Sequence, residues 1–553
     1  MDGVGTLQRP WVRSYPHDLQ WGAPLPHRSV TDLFDESARQ WPERPFLDFL
    51  GRVQTYGEVA EEIRRIAIGM RLHGIRQGSR VGLLLPNCPY FVVALLAAVR
   101  CGATVVNFST LLAERQLAVQ LEDSGTELLI TLDIERLLGR CNGVLRASSL
   151  RRVIVCSLLD CLPLRKRLLA ALRVQGERIR WEEDELLLGW DRLDIEGPAC
   201  PRPALEPDRD PAAILYTAGT TGEPRGAVLS HANLTVNAEQ NRLWFTGSEP
   251  GEERVVAILP FFHAYGLTAV FLFAVALGAE LILLPRFDPK GFLRMLRRTR
   301  PTFLAGVPTL FGALIELSGA RPDDFASLKI CVSGGEALPD GLRRRFQEFS
   351  GVPLTQGYGL TECSPVVACG NPPAHRDRVG SVGLPLPGTD VAIRGEDGAP
   401  VANGGIGEIW VRGPQVMLGY AAPRKETRSV LRDGWLATAD LGRLDADGYL
   451  YVVDRLKDVI VSSGFKVYPH RVEAALLTHA AIAEAVVVGE ADSRAGMVPV
   501  AHLTLRAGEA VDEAALRSYL GPMLSRHEMP RRFVIRQTLP RTPMGKVERR
   551  ALG

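Results

Sequence analysis

Ala212-Ala213-Ile214-Leu215-Tyr216-Thr217 runs directly into Ala218-Gly219-Thr220-Thr221-Gly222-Glu223-Pro224-Arg225-Gly226. The first six residues form an apolar, strand-like run, and a helical pattern opens near Ser230. Between them, glycines let backbone N–H groups turn inward, and such concavities hold anions. The threonine hydroxyls add donors, and Arg225 adds a fixed charge suited to phosphate oxygens. The loop is not of the Walker A type, because GxxxxGK[ST] is not satisfied. As composition alone a Gly/Thr loop is more often a plain turn, and the order of its residues says more.

Outward from this loop, short apolar runs alternate with helical patterns between residues 210 and 360. Val255–Leu259 is strand-like, Gly266–Leu277 helical and Glu280–Leu284 strand-like again. Asp288-Pro289 then gives an N-cap followed by a proline in the first turn. Thr302–Val307 and Leu328–Val332 are further β-rich runs, each leading towards a helical stretch. This alternation predicts an α/β domain on a mostly parallel sheet. After about residue 380 the character changes. Gly407–Gly413 and Tyr449–Val453 alternate and lie near turn signals such as Asp447-Gly448, which predicts antiparallel hairpins or a small barrel. From Asp458 onward short strands and helices mix again, enough for a separate α+β unit of roughly 95 residues.

The whole chain has 553 residues, a formal net charge of +2, 46% hydrophobic and 23% charged residues. That is ample material for a large core and argues against a disordered, collagen-like or coiled-coil chain. A near-zero charge gives no case for nucleic acid as a partner. The nine cysteines include no CxxC pair, so neither a zinc knuckle nor a thioredoxin-like pair is indicated. The N-terminus has no apolar segment of the secretory kind, and a reducing, cytoplasmic setting is the expectation. The longest uncharged stretch, Ala264 to Ala279, falls short of a membrane span and reads as a buried helix feeding a strand. Leu164–Val174 is a basic amphipathic stretch. It suits peripheral contact at the inner face of a membrane, though a solvated helix with its leucines packed inward is the blander reading. Residues 521–553 carry a net charge of +6, either a solvated face or a site for a phosphorylated ligand.

The Tyr216–Gly226 loop closely resembles the YTSGTTGxPKG phosphate loop of the adenylate-forming superfamily, which includes acyl-CoA synthetases, luciferases and peptide-synthetase adenylation domains. Six more segments resemble that family's motifs in its order: Pro260–Gly266 (PFFHAYG), Ser333–Leu338 (SGGEAL), Gln356–Glu362 (QGYGLTE), Gly434–Asp440 (GWLATAD), Asp454–Asp458 (DRLKD) and Pro540–Lys546 (PRTPMGK). The resemblance covers roughly residues 30–550. It implies a large N-terminal domain over 1–454, with Rossmann-like parallel-sheet subdomains and a small β-barrel-like part. A hinge at 455–458 and a mobile α+β C-terminal domain over 459–553 follow.

The same resemblance implies chemistry: ATP and a carboxylic acid give acyl-AMP and pyrophosphate, and CoA then takes the acyl group. Thr217, Gly219, Thr220, Thr221, Gly222 and Arg225 would hold phosphates. Glu362, a hard oxygen ligand, would hold Mg2+ together with ATP. Thr361 would contact the α-phosphate, and Tyr358, beside Gly359, would stack near the adenine. Gly334, Gly335 and Glu336 would form the adenine-side loop, and Asp440 and Arg455 would reach the ribose. His263 would flank the carboxylate and the nucleotide. Lys546 would bridge the carboxylate and the α-phosphate, charge shared only in the transition state, and losing such a group costs on the order of 10²–10³ in rate. Gly464 would line the pantetheine tunnel, and Lys457 would be the pivot of domain rotation. Alone, most of these residues have blander readings as caps, packing or salt-bridge partners; the motif order is what raises them.

Within the superfamily the chain looks most like bacterial medium- to long-chain fatty acyl-CoA synthetases. Segments 262–279 and 302–317 fit the walls of an acyl channel and fit plain core equally well. Several positions depart from the commonest pattern. Ala218 stands for Ser, Arg225 for Lys and Ala439 for Gly, the last of consequence only if that backbone needs φ > 0. Arg471 stands for a glutamate, and Leu267 for a tryptophan that gates the tunnel in some members. Two rival readings remain at this level: an acyl-AMP ligase that loads a carrier protein, and a degenerate nucleotide- or acyl-binding regulator. A homodimer is compatible with the sequence, which does not fix the oligomeric state.

Overall fold

The computed structural model describes residues 9–148, 150–163, 167, 178–218, 224–371, 378–402, 404–421, 424–462, 465–492, 496–541 and 547–552. Two large sheets dominate the chain up to residue 385. One has eight strands in the order Gly419–Tyr420, Pro224–Ser230, Pro211–Ala218, Thr104–Asn107, Arg80–Leu84, Leu128–Leu132, Arg152–Cys156, Leu187–Gly189. From Pro211–Ala218 to Leu187–Gly189 neighbouring strands are parallel, and the other end is antiparallel. The second sheet has nine strands and is parallel from Pro45–Phe49 to Leu354–Gly359, with antiparallel strands at both edges. The α/β reading of residues 210–360 is therefore correct, but the segment feeds two sheets. The strand before the Gly/Thr loop belongs to the first, and every later strand up to Leu354–Gly359, apart from Pro224–Ser230, belongs to the second.

Local sequence explains why these segments fold as they do. Parallel strands covered on both faces read as continuous apolar runs, and Leu128–Leu132 is buried at all five positions. The helix Pro89–Arg100 starts with proline at its first position and is buried along its length up to Arg100, as an all-round apolar helix must be. Ser230 caps the helix His231–Trp244 by accepting from the Asn233 N–H, while the Asn233 side chain accepts from the Ser230 N–H. The uncharged stretch forms helical turns from Ala264 to Leu277. Gly278, at φ +64°, ends them and hands the chain to the strand Glu280–Leu283. No helix among the described residues is long and apolar enough to cross a membrane.

After residue 385 the chain forms a five-stranded antiparallel sheet from Asp390–Arg394, Gly407–Arg412, Leu431–Arg432, Trp435–Leu444 and Leu450–Arg455. The last sheet takes Ile460–Ser462, Phe465–Val467, Ile482–Asp492, Gly496–Leu505 and Arg532–Ile535. Helices Pro469–Leu476 and Glu513–Leu520 pack on it through Val472, Leu476, Leu516 and Leu520. Asp454, buried at the end of the antiparallel sheet, accepts from the His470 N–H at 2.9 Å and so reaches the start of the first of these helices.

Glu473, on that helix, is buried and accepts from the Val487 N–H at 2.7 Å. His470 Nδ1 lies 2.9 Å and Arg549 Nη1 2.7 Å from its carboxylate. Burial alone would raise its pKa, but His470 and Arg549 outweigh burial and hold it down at about 2. A depressed carboxyl contributes stability that is complete above its unfolded value and is lost as pH falls through the folded one. Glu473→Gln should therefore lower stability near neutrality and flatten its decline between about pH 4.5 and about pH 2. Urea-unfolding midpoints measured across that range for parent and variant check this; parallel slopes would count against it.

Candidate active site

Three side chains named from separate motifs meet at one point. Tyr358, on the strand Leu354–Gly359, donates its hydroxyl to Asp440 Oδ2 at 2.7 Å. Arg455 Nε lies 3.2 Å from Asp440 Oδ1, and the two residues are register partners on the strands Trp435–Leu444 and Leu450–Arg455. Asp440 is only 6% exposed, and a carboxylate so placed needs partners of this kind. Burial and the neighbouring Asp440 charge push the Tyr358 phenol far above its ordinary pKa, so it stays a donor.

Glu362 sits in the short turn Thr361–Cys363 that follows Leu354–Gly359. Burial is the main force raising its carboxyl pKa, and Asp440 adds to it; the Tyr420 hydroxyl and Arg455 pull the other way. Tyr420 donates to Glu362 Oε1 at 2.8 Å. The guanidinium of Arg225 lies 5.5 Å from the Tyr420 ring centre and pairs with Glu426 at 2.8 Å. Arg225 also stands opposite Thr217 in the ladder, and the Thr217 hydroxyl donates to its carbonyl. Glu426, Arg225, Tyr420 and Glu362 thus form one chain of contacts. Sequence reading missed Tyr420 and Glu426, because only the pairing of Gly419–Tyr420 with Pro224–Ser230 brings them there.

Gly334 and Gly335 follow the strand Ile330–Ser333. Gly335 has φ +84°, and a Cβ on Gly334 would come within 3.0 Å of the Tyr265 ring. Tyr265 in turn donates to the Val332 carbonyl, so the Pro260–Gly266 segment packs against this loop. His263 precedes the turn Ala264–Gly266 with its ring 4.8 Å from that of Phe262. Gly334, Gly335, Tyr358 and Gly359 line part of a cavity that is open to solvent and, with that solvent space counted, encloses about 520 Å³. Its remaining wall is mostly apolar: Phe245, Ala269, Phe303, Ala305 and Val366 among others. Segments 262–279 and 302–317 both contribute to this wall. Asn241 and Phe245, from the helix His231–Trp244, were not anticipated.

Gly219, Thr220, Thr221, Gly222, Gly464 and Lys546, with most of the basic stretch 164–174, lie outside the described residues. Glu336 directly follows the Gly334–Gly335 pair, and Lys457 lies in the turn Leu456–Asp458. Ala439 has φ +57°, so the backbone there does require the left-handed region. Leu267 is fully buried and is not a lining residue of the cavity. Arg471 pairs with the buried carboxylate of Glu528 at 3.3 Å. Among the described residues no group of three or more His, Cys, Asp or Glu converges as a metal cage. Glu362 offers a half-buried carboxylate, a hard oxygen donor that suits a cation carried by phosphates.

Residues 34–421 match the AMP-binding enzyme family, and residues 471–546 match the AMP-binding enzyme C-terminal domain. The chain belongs to the AMP-binding enzymes. It is 35% identical to a long-chain-fatty-acid–CoA ligase of Bacillus subtilis (strain 168) over 99% of this chain and 98% of that one. It is 33% identical to a long-chain-fatty-acid–CoA ligase of Yersinia pestis over the same shares. Among solved structures it resembles an o-succinylbenzoate coenzyme A synthetase of Bacillus subtilis in complex with ATP and magnesium ion. That likeness has a TM-score of 0.77 at 29% identity and covers 94% of this chain and 98% of the other.

In this AMP-binding enzyme the helix His231–Trp244, which brings Asn241 to the cavity, is tied to the strand Val366–Cys369 through Asn237. Fully buried on the helix His231–Trp244, Asn237 donates to the Val366 carbonyl at 2.9 Å and accepts from the Val366 N–H at 3.0 Å. Removing it leaves two buried backbone groups unsatisfied, so Asn237→Ala should cost roughly 2–4 kcal/mol. Urea unfolding checks this, and a loss under about 1 kcal/mol would show that the groups find other partners.

Proposed function

We propose that the chain activates a medium- or long-chain fatty acid as its adenylate and passes the acyl group to CoA. The observation that carries this reading is the mostly apolar wall of the cleft that opens beside Tyr358, Gly359 and the Gly334–Gly335 loop. An alkyl chain buried there gains about 0.8 kcal/mol per methylene, while its carboxylate stays at the polar end. The names of the relatives from Bacillus subtilis and Yersinia pestis support the same acid class.

In this reading the adenine lies against Tyr358 and the Gly334-Gly335-Glu336 loop, and the ribose reaches Asp440 and Arg455. The phosphates meet Thr217, the Gly219–Gly222 loop and Arg225. Glu362 would hold Mg2+ together with the nucleotide, and the ion would supply neutralising charge there. A carboxylate oxygen near His263 attacks the α-phosphorus, the bond to the bridging oxygen breaks, and pyrophosphate leaves. Thr361 and Lys546 offset the charge on the α-phosphoryl oxygens, donors aimed where charge develops. The CoA thiolate then adds to the adenylate carbonyl and expels AMP. Rotation at Lys457 exchanges Lys546 for the face carrying Gly464, so one small domain serves both steps.

The test is ATP-dependent pyrophosphate release across acids from acetate to oleate, with benzoate and a dicarboxylate, with and without CoA, and mass detection of products. Acyl-CoA from a band of medium or long fatty acids is expected. Acyl-AMP alone, or turnover confined to acetate or aromatic acids, would overturn the reading. Phe303 packs 5.5 Å from Phe245 and 4.8 Å from Phe273, and so closes one side of the cavity. On the same panel, Phe303→Ala should move the optimum to longer chains; an unmoved optimum would place the alkyl tail elsewhere.

A further inference from the structure

Asp440 sits at a bulge in its strand. Glu408 is register partner to Leu441 and Trp410 to Ala437, so Ile409 alone faces Thr438, Ala439 and Asp440. Bulges of this kind re-aim a side chain. Two features hold the bulge open. The Thr438 hydroxyl donates to the Ile409 carbonyl at 2.7 Å and accepts from the Asp440 N–H at 3.1 Å. Ala439, at φ +57°, occupies a backbone region that disfavours any residue with a Cβ. Its N–H donates to Glu408 Oε1 at 3.0 Å. The other carboxylate oxygen, Oε2, accepts from Trp410 Nε1 at 2.8 Å. Trp410 is itself buried, with the Arg394 guanidinium 4.2 Å above its ring. Both partners of Glu408 are donors, so the site needs two acceptor oxygens, and of the uncharged residues none of this size offers them.

We propose that Glu408 is a positioning residue for nucleotide recognition. Through one oxygen it holds the left-handed turn at Ala439, through the other it is anchored to Trp410, and the result presents Asp440 to the ribose. It touches no reacting atom. This rests on the reading above that Asp440 takes the ribose hydroxyls. Charge-assisted hydrogen bonds are the strong ones, and here one offsets the conformational cost of the turn. A glycine at 439 would carry no such cost and would make the bond less necessary.

Calorimetric titration of the full chain with ATP and with 2′-deoxy-ATP tests this. A site that hydrogen-bonds a hydroxyl rejects the analogue lacking it, so the parent should favour ATP. Glu408→Ala should weaken ATP binding about tenfold and 2′-deoxy-ATP binding much less, shrinking the preference. Glu408→Gln, nearly the same size but with one acceptor oxygen, should fall between the two and serves where the alanine variant does not fold. Adding Ala439→Gly to either variant should restore most of the preference. Equal weakening of both nucleotides, or no rescue by glycine, would overturn the positioning role and leave a merely structural one. A parent that binds both nucleotides alike would instead overturn the ribose reading of Asp440, and the proposal with it.

Discussion

Everything around the site depends on how one nearly buried carboxylate is satisfied. Asp440 comes from the antiparallel sheet, yet one of its donors, Tyr358, belongs to the nine-stranded sheet. Isolated charge in such surroundings is expensive, and a paired, hydrogen-bonded one is tolerable. The two sheets therefore cannot separate at this seam without taking the Tyr358 hydroxyl from Asp440. Because Arg455 is a further partner and directly precedes the turn containing Lys457, the same carboxylate also marks where the chain leaves the antiparallel sheet.

The cavity is shaped by a related constraint. Gly359 approaches the Pro365 carbonyl so closely that a Cβ would lie 2.1 Å from it, and Gly334 meets the Tyr265 ring. Missing side chains at these two positions let backbone and aromatic surface pack tightly on one side. On the other side the aromatic cluster of Phe245, Phe273 and Phe303 is held by edge and tilted ring contacts. The glycine-lined side and the aromatic side of the cavity thus come from different elements.

Much of this was legible in the sequence because it is local. The cap at Ser230, the proline start at Asp288-Pro289 and the helix Glu513–Leu520 follow from nearest-neighbour chemistry. Tyr358, Asp440, Arg455 and Glu362 were found through motif order, and Tyr358 and Arg455 prove joined through Asp440. What escaped depends on crossings between distant segments. Strand order cannot be deduced from alternation, so the division of residues 210–360 between two sheets was invisible. Tyr420 and Glu426 sit in an unremarkable stretch that gains meaning only beside Pro224–Ser230. Glu408 lies in the run Gly407–Gly413, read only as alternating, and its partner at Ala439 exists only because the facing strand bulges.

Arg225 ties these lessons together. An arginine beside a glycine-rich loop reads as a phosphate ligand, yet here its guanidinium, 14% exposed at the side chain, already pairs with Glu426. A cation so enclosed cannot wait unpaired for an anion, since stranding it would cost more than the pair returns. Under the proposed function the arriving phosphates compete with Glu426 for the same guanidinium, and binding becomes an exchange of anions instead of the filling of an empty positive site. Bidentate geometry favours arginine over lysine in such an exchange, because a planar fork can hold one oxygen while releasing another. The Arg225 guanidinium also lies over the ring of Tyr420, whose hydroxyl is committed to Glu362. The charge that greets phosphate at one end of this chain of contacts is thereby coupled to the carboxylate proposed to meet the metal at the other.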